Sequence, residues 1–369
     1  MPLAPTYQPL RLLLLTFQGG MAGSTQSIFF LANGLAQRGH SVYVGCPEES
    51  LLYQLLEKSK AQRIAMTFRG KFDTQNMRHI AQVVQQYDIQ LINAQSSLDR
   101  YTAIFANLFH RLNLPIIHTR RQTPKSIGGR LQNWFYTRFT RQIVAVSEGV
   151  KAELVQLGIP AHHITVIYNG TPPEKYQLND PQRSQVLREQ YGISPNDIVI
   201  GCISRYKQQE QLLRAIDLLP FAVTVLLVGI SEIPAYKRIT DTYKLPHRVI
   251  YTGEISNTDV LYHYPLLHIK VLPSIIEGLS QSLLEAMAMG VPVIATRAAG
   301  NIDLIQHQQN GLLFDEGDSK TLAQYIEMLL GDKALCAQLT LQARQTALTD
   351  FSIQRTIERY EQFFANMVE

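Results

Sequence analysis

Continuous apolar runs alternating with amphipathic stretches, twice over, constrain this chain more than any other feature. In the first half the strand candidates are residues 11–17, 41–45, 63–67, 89–93, 115–119, 142–146 and 164–167. Helical spacing lies between most of them, for example at 27–38, 74–87 and 102–111. Strands that are apolar on both faces need cover on both faces, so the pattern predicts a parallel sheet between helical layers. Periodicity stops at 169–181, NGTPPEKYQLNDP, where turn residues dominate. A second alternation begins at Ile198 and includes 223–228, 248–252, 266–272 and 292–295; beyond Asp318 only helical patterns remain. The expected fold class is α/β, with two Rossmann-like doubly wound domains facing across a cleft. The domains are read as 1–170 and 182–350 around a linker at 171–181, followed by a last helical segment at 351–369. Such folds bind ligands at their strand ends, although the fold names no reaction.

The chain's 369 residues suffice for two cores, and 46% hydrophobic against 17% charged residues excludes a disordered chain. Cys46, Cys202 and Cys336 lie far apart without a CxxC pair, which supports neither a disulfide framework nor a zinc site. His162 and His163 are adjacent, with no partner at ligand spacing, so no metal site is expected. The apolar run at 10–17 is short and broken by Arg11, which marks a buried strand rather than a signal peptide. No run approaches 18 apolar residues, and the expected location is cytoplasmic. Residues 1–180 hold 18 Lys and Arg against 10 Asp and Glu, while 181–369 hold 16 against 20. That asymmetry is either ordinary scatter or a basic first domain facing an anionic partner. No nucleic-acid module accompanies it.

Chemistry concentrates in the second half. Between Pro273 and Gly311, Glu277 precedes a short apolar helix and Glu285 lies within it, eight positions later. The N–H groups of Gly278, Leu279 and Ser280, at the helix entrance, suit phosphate, while Glu285 suits neutral hydroxyls such as a ribose diol. Taken singly, each Glu also reads as a dipole complement or a solvated face. Arg205 and Lys207 follow a buried strand, where two cations would neutralise a diphosphate or simply be solvated. In the first half, Gly19, Gly20 and Gly23 form a GGxxG turn after the first strand; this is not the GxGxxG of dinucleotide enzymes. Residues 130–141 interleave Arg130, Arg138 and Arg141 with Trp134, Phe135 and Phe139. A basic aromatic helix of this kind either lies on anionic lipid or is half-buried with a solvated edge.

The 273–311 segment closely resembles the donor-site signature of glycosyltransferase family 4, the retaining GT-B enzymes. It carries the Glu-Gly pair, the second Glu eight positions on, Ala286-Met287-Ala288, and Gly290 followed by Pro292-Val293-Ile294. The Arg38-Gly39-His40 ending of the first helix, the AVSEGVKAELVQLGI stretch and the closing FSIQRTIERYEQFF resemble the family too. The closing segment looks like the helix that crosses back to the first domain. The resemblance implies a retaining, hexosyltransferase-type enzyme moving a sugar from a nucleoside diphosphate donor to a hydroxyl acceptor, such as a cell-envelope glycolipid or polysaccharide precursor. It implies no cofactor and no metal beyond the nucleotide sugar itself. No nucleic acid is expected, and if the basic aromatic helix at 130–141 lies on anionic lipid, the protein sits peripherally on the inner face of the cell membrane. Arg205 and Lys207 would bind the diphosphate, with one intervening residue where the family usually has four. Glu277 would contact the donor sugar and Glu285 the ribose. Gly20 or Gly23 would approach phosphate, and His118 or Arg121 would lie at the reacting carbon. The rival readings are a catalytically silent GT-B homologue acting as a binding partner, and a GT-B nucleotide-sugar epimerase.

Overall fold

The computed structural model describes residues 7–20, 23–121, 129–256, 259–275, 278–298 and 300–368. Contacts divide the chain into two units, Met1–Pro172 with Ser352–Glu369, and Pro173–Phe351.

The first unit holds strands β1 (Arg11–Leu15), β2 (Ser41–Cys46), β3 (Gln62–Ala65), β4 (Leu91–Ala94), β5 (Ile116–Arg120), β6 (Gln142–Ala145) and β7 (Ile164–Val166). They form one parallel sheet in the order β3-β2-β1-β4-β5-β6-β7. Its helices are α1 (Gly23–Gln37), α2 (Leu51–Leu56), α3 (Thr74–Tyr87), α4 (Ser97–Phe109), α5 (Arg130–Phe139) and α6 (Glu148–Gln156). Leu12 to Leu15 have no exposed surface, as a central strand covered on both faces requires. Helix α4 starts five residues earlier than apolar spacing alone suggests, because Ser96 and Asp99 form a reciprocal capping box.

The second unit holds α7 (Pro181–Gln190), β8 (Val199–Ile203), α8 (Glu210–Ile216), β9 (Thr224–Val228), α9 (Pro234–Thr240), β10 (Arg248–Tyr251), β11 (Ile269–Leu272), α10 (Gln281–Ala288), β12 (Val293–Thr296), α11 (Asn301–Leu304), β13 (Leu312–Phe314), α12 (Ser319–Gly331) and α13 (Lys333–Thr349). Its parallel sheet runs β10-β9-β8-β11-β12-β13. The edge strand β13 is three residues long, too short for periodicity to reveal. Both sheets and their alternating helices match the α/β class expected.

The last helix, α14 (Ile353–Val368), belongs to the first unit and packs on α1. A Cβ on Gly34 would lie 2.1 Å from Ile357 Cδ1, so glycine permits the close approach of these helices. Glu361 of α14 is 1% exposed and accepts from Arg38 Nε at 2.8 Å, with His40 Nε2 at 3.0 Å from its other oxygen. His40 Nδ1 accepts the Leu10 N–H at 3.0 Å, so Nε2 carries the proton that reaches Glu361. Gly39 between them adopts φ 97°, turning the chain so that both side chains face one carboxylate.

Candidate active site

Strands β8 and β11 are neighbours, with Ile269 opposite Ile200 and Lys270 opposite Gly201. The chain leaves β8 towards β9 on one side and leaves β11 towards β12 on the other. Their C-terminal ends therefore flank a topological switch point, where open α/β sheets bind ligands. The loops leading from it into α8 and α10 carry the predicted donor-site residues.

Gln209, a buried side chain that sequence reasoning missed, shapes the first loop. Its Nε2 donates to Ser204 Oγ at 3.1 Å and to the Arg205 carbonyl at 2.8 Å. Its Oε1 accepts from the Lys207 N–H at 2.7 Å and the Tyr236 hydroxyl at 2.9 Å. All four positions of the amide are filled, which fixes the backbone of both predicted cations. Gln208 takes φ 58° to complete the turn. The Arg205 side chain is exposed and that of Lys207 half-buried. Gln211 then ties α8 to the neighbouring loop, donating to the Pro273 carbonyl at 2.9 Å. Beneath the switch point, the fully buried Lys270 ammonium donates to the Ile203 and Val271 carbonyls at 3.2 Å each.

Glu277 lies outside the described residues. Gly278 and Leu279 are half-buried at the entrance of α10, where Ser280 caps the helix by accepting from the Leu283 N–H at 3.4 Å. Glu285, one turn in, is 8% exposed and both its oxygens are engaged. Lys175, from the turn Pro173–Tyr176, donates to Oε1. Tyr264 donates to Oε2 at 2.8 Å, with the Ser282 carbonyl 3.0 Å away. Burial, followed by the Glu285 charge, pushes the Tyr264 hydroxyl well above its usual range, so it remains a donor. Lys175 sits among the turn residues read as a linker, and no sequence signal joins it to a carboxylate 110 positions on.

In the first unit, Gly19 accepts no side chain, since a Cβ there would lie 2.6 Å from Ser50 Cβ. Gly20 faces open space, and its carbonyl accepts from Thr25 Oγ1 at 2.6 Å. Gly23 is the first residue of α1. His118, in β5, is 1% exposed, and Arg100 Nη1 lies 3.2 Å from each of its ring nitrogens. Burial first, then Arg100, Arg120 and Arg121, hold this imidazole well below its usual pKa. It is a neutral, enclosed ring. Arg100 itself stacks over Tyr136 at 3.6 Å and donates to the Tyr136 hydroxyl. Arg121, the alternative to His118, donates through Nη1 to Gln95 Oε1, at the end of β4. Depressions of about 520 Å³ between α8 and α9 and about 470 Å³ beside β3 and α3 contain none of the predicted residues.

On the α4 and α5 side of this unit, aromatic rings form a continuous ladder. Phe72 and Phe105 stack at 4.9 Å, Phe105 and Phe135 meet at 5.7 Å, Phe135 and Phe139 at 5.1 Å, and Trp134 and Phe139 at 5.9 Å. Phe72, Phe109, Leu131 and Trp134 are 58–83% exposed, with Arg130, Arg138 and Arg141 exposed beside them. Among the described residues no helix is long and apolar enough to cross a membrane.

Comparison with known proteins gives a consistent result. The family model "Glycosyl transferases group 1" matches residues 185–346, and "Glycosyltransferase Family 4" matches residues 21–175. EpsD of Bacillus subtilis is 26% identical over 317 residues, covering 80% of this chain and 82% of that protein. The capsular polysaccharide biosynthesis glycosyltransferase CapM of Staphylococcus aureus is 28% identical over 236 residues, 60% of each chain. Among solved structures, Anabaena HepE in complex with UDP and glucose superposes with a TM-score of 0.81 at 23% identity, covering 97% of this chain and 100% of that one.

Proposed function

This chain belongs to glycosyltransferase family 4 and has the GT-B fold, and we propose that it is a retaining, hexosyltransferase-type enzyme using a nucleoside diphosphate sugar. The acceptor is a hydroxyl on a cell-envelope glycolipid or polysaccharide precursor. One observation carries the reading. The clamped Arg205–Lys207 loop and the α10 entrance leave adjacent strand ends at the switch point of the second unit, and Glu285 is buried one turn into α10. Cations and helix N–H groups suit the diphosphate, and a carboxylate with spare lone pairs suits the ribose diol. Relatives named for capsule synthesis, and UDP bound in HepE, support the choice of donor and pathway class.

In this reading the bond from the anomeric carbon to the diphosphate oxygen breaks while the acceptor oxygen bonds on the same face. The acceptor proton passes to the departing phosphate, so no dedicated side-chain base is needed. Arg205 and Lys207 stabilise the charge that develops on the leaving diphosphate. Glu277 is assigned the donor sugar by resemblance alone. His118 receives no proton-transfer role, because its ring is enclosed and faced by a guanidinium.

The test is a thermal-shift screen against nucleotide sugars, followed by product analysis with the donor that stabilises the protein. Nucleotide released only with acceptor present, and an anomeric configuration equal to the donor's, are expected. An inverted product would overturn retention, and donor binding without turnover would favour the silent-homologue reading.

The aromatic ladder and its flanking arginines support a second element of the proposal, attachment to an anionic membrane surface. Flotation with vesicles containing anionic lipid is expected at low salt and should weaken in Trp134→Ala. No flotation at any salt would argue for an acceptor taken from solution.

A further inference from the structure

We propose that the first unit grips its acceptor through an oxyanion, a phosphate or carboxylate group seated on Arg121 beside the C-terminal ends of β4 and β5. The inference rests on the reading that this unit takes the acceptor.

Position comes first. Arg121 follows the last residue of β5, and its hydrogen bond to Gln95 draws it to the end of β4. The chain leaves β1 towards β2 and leaves β4 towards β5, and just beyond these two paired strands Thr16 Oγ1 and Ser96 Oγ are hydrogen-bonded at 3.3 Å. This is the switch point of the first sheet, the place where such a fold receives a ligand.

Charge comes second. Arg100, Arg120 and Arg121 cluster at the strand ends, and Asp99 is the one carboxylate acting on Arg100 and Arg121 among the described residues. Asp99 is already committed. It accepts the N–H groups of Gln95 and Ser96 at 2.8 Å each and of Phe17 at 3.4 Å, and the Ser96 hydroxyl. Burial and the neighbouring Arg100 push Arg120 down to about 10, as uncompensated like charges do.

The unused donors decide the site. Nε and Nη2 of Arg121 are buried and without a hydrogen-bond partner, as are the Nε atoms of Arg100 and Arg120. Buried polar groups are nearly always paired, and an orphaned guanidinium edge is costly. Arg100 is occupied by the Tyr136 ring and hydroxyl and by His118. Arg121 spends only Nη1. Its Nε and Nη2 lie on one edge of the guanidinium, the fork that matches two oxygens of a carboxylate or phosphate. An uncharged sugar hydroxyl would leave this cluster unbalanced.

The experiment follows thermal unfolding during titration with inorganic phosphate and, separately, succinate. Each titration is run with and without saturating UDP, which fills the donor phosphate site. In wild type one anion is expected to raise the midpoint in the presence of UDP, and which one does so separates a phosphate-bearing from a carboxylate-bearing acceptor. Arg121→Gln should raise the apparent Kd for that anion by roughly tenfold to a hundredfold. Arg121→Lys, which keeps the charge without the fork, should fall between. No stabilisation by either anion, or an unchanged Kd in both variants, overturns the proposal. If Arg121→Gln loses its cooperative transition, the Arg121→Lys comparison decides. Absence of any UDP effect would count against the donor reading instead, and the titrations without UDP would still report on Arg121.

Discussion

Lys175 closes an ion pair with Glu285, the carboxylate assigned to the donor ribose, and Tyr264 holds the other oxygen at 2.8 Å. Before any ligand arrives, the charge on Glu285 is neutralised and its orientation set. Each oxygen has a second lone pair, so a diol can be accepted without breaking either contact. Glu285→Gln should therefore weaken nucleotide binding about tenfold, since a hydrogen bond to a charged group is lost. Lys175→Met should act mainly on stability, leaving a carboxylate that is 10% exposed without its cation. The Lys175 side chain is 26% exposed, so the expected loss is about 1–2 kcal/mol rather than the full penalty of a buried pair. Calorimetric titration with UDP and urea unfolding of both variants would separate the two effects. Equal nucleotide affinity in wild type and Glu285→Gln would remove Glu285 from the site.

Gln209 offers a sharper test of the diphosphate loop, because it touches no proposed ligand. Replacing it with Leu removes the acceptor used by the Lys207 N–H and the buried Tyr236 hydroxyl. Loss of stability by about 1–3 kcal/mol is expected. If the loop presents Arg205 and Lys207 to the leaving group, kcat should fall well beyond what the residual folded fraction explains. Steady-state kinetics at a temperature where the variant is fully folded would show this. Full activity there would mean that the loop's conformation is irrelevant to transfer.

Glu361 should be the most sensitive charged position in the first unit. It is 1% exposed and serves Arg38 and His40 at once. Glu361→Ala removes the nearer of the two carboxylates paired with Arg38, leaving Glu358 at 3.9 Å, and takes the partner from the buried His40 Nε2, so a loss of about 1–3 kcal/mol is expected in denaturant unfolding. A loss below about 1 kcal/mol would show that α14 is held by its apolar face alone.

These positions also mark how far the sequence can be read. The strand runs were legible because central parallel strands such as β1 and β8 are buried on both faces, whereas β13 was too short to register. The Arg38-Gly39-His40 ending was legible as a pattern, but its cause, a carboxylate more than 320 positions downstream, is a tertiary fact. The same holds for Lys175, hidden among turn residues, and for Gln209, one of several glutamines in KQQEQ. His118 could be placed at the end of a strand, yet it is buried beneath Arg100 of α4, which Tyr136 of α5 holds in turn. Sequence spacing identifies which groups can do chemistry. Packing decides which of them are already occupied.

That distinction gives His118 a pH signature of its own. Its folded-state pKa is depressed, first by burial and then by three arginines, whereas in the unfolded chain it titrates near the ordinary imidazole value of 6.5. Above 6.5 both states are neutral and the group adds no pH dependence. As pH falls below 6.5 the unfolded chain takes up a proton that the folded protein refuses, so stability declines. The slope from one such group reaches about 1.4 kcal/mol per pH unit. His163, His247, His263, His268 and His307 are lowered in the same direction, each chiefly by burial, and should steepen the acid side further. Urea unfolding at pH 5, 6, 7 and 8 should show a steep loss below 6.5 in wild type and a shallower one in His118→Asn. Identical slopes in the two proteins would mean that His118 accepts its proton in the native state, and that the Arg100 contact is not maintained in solution.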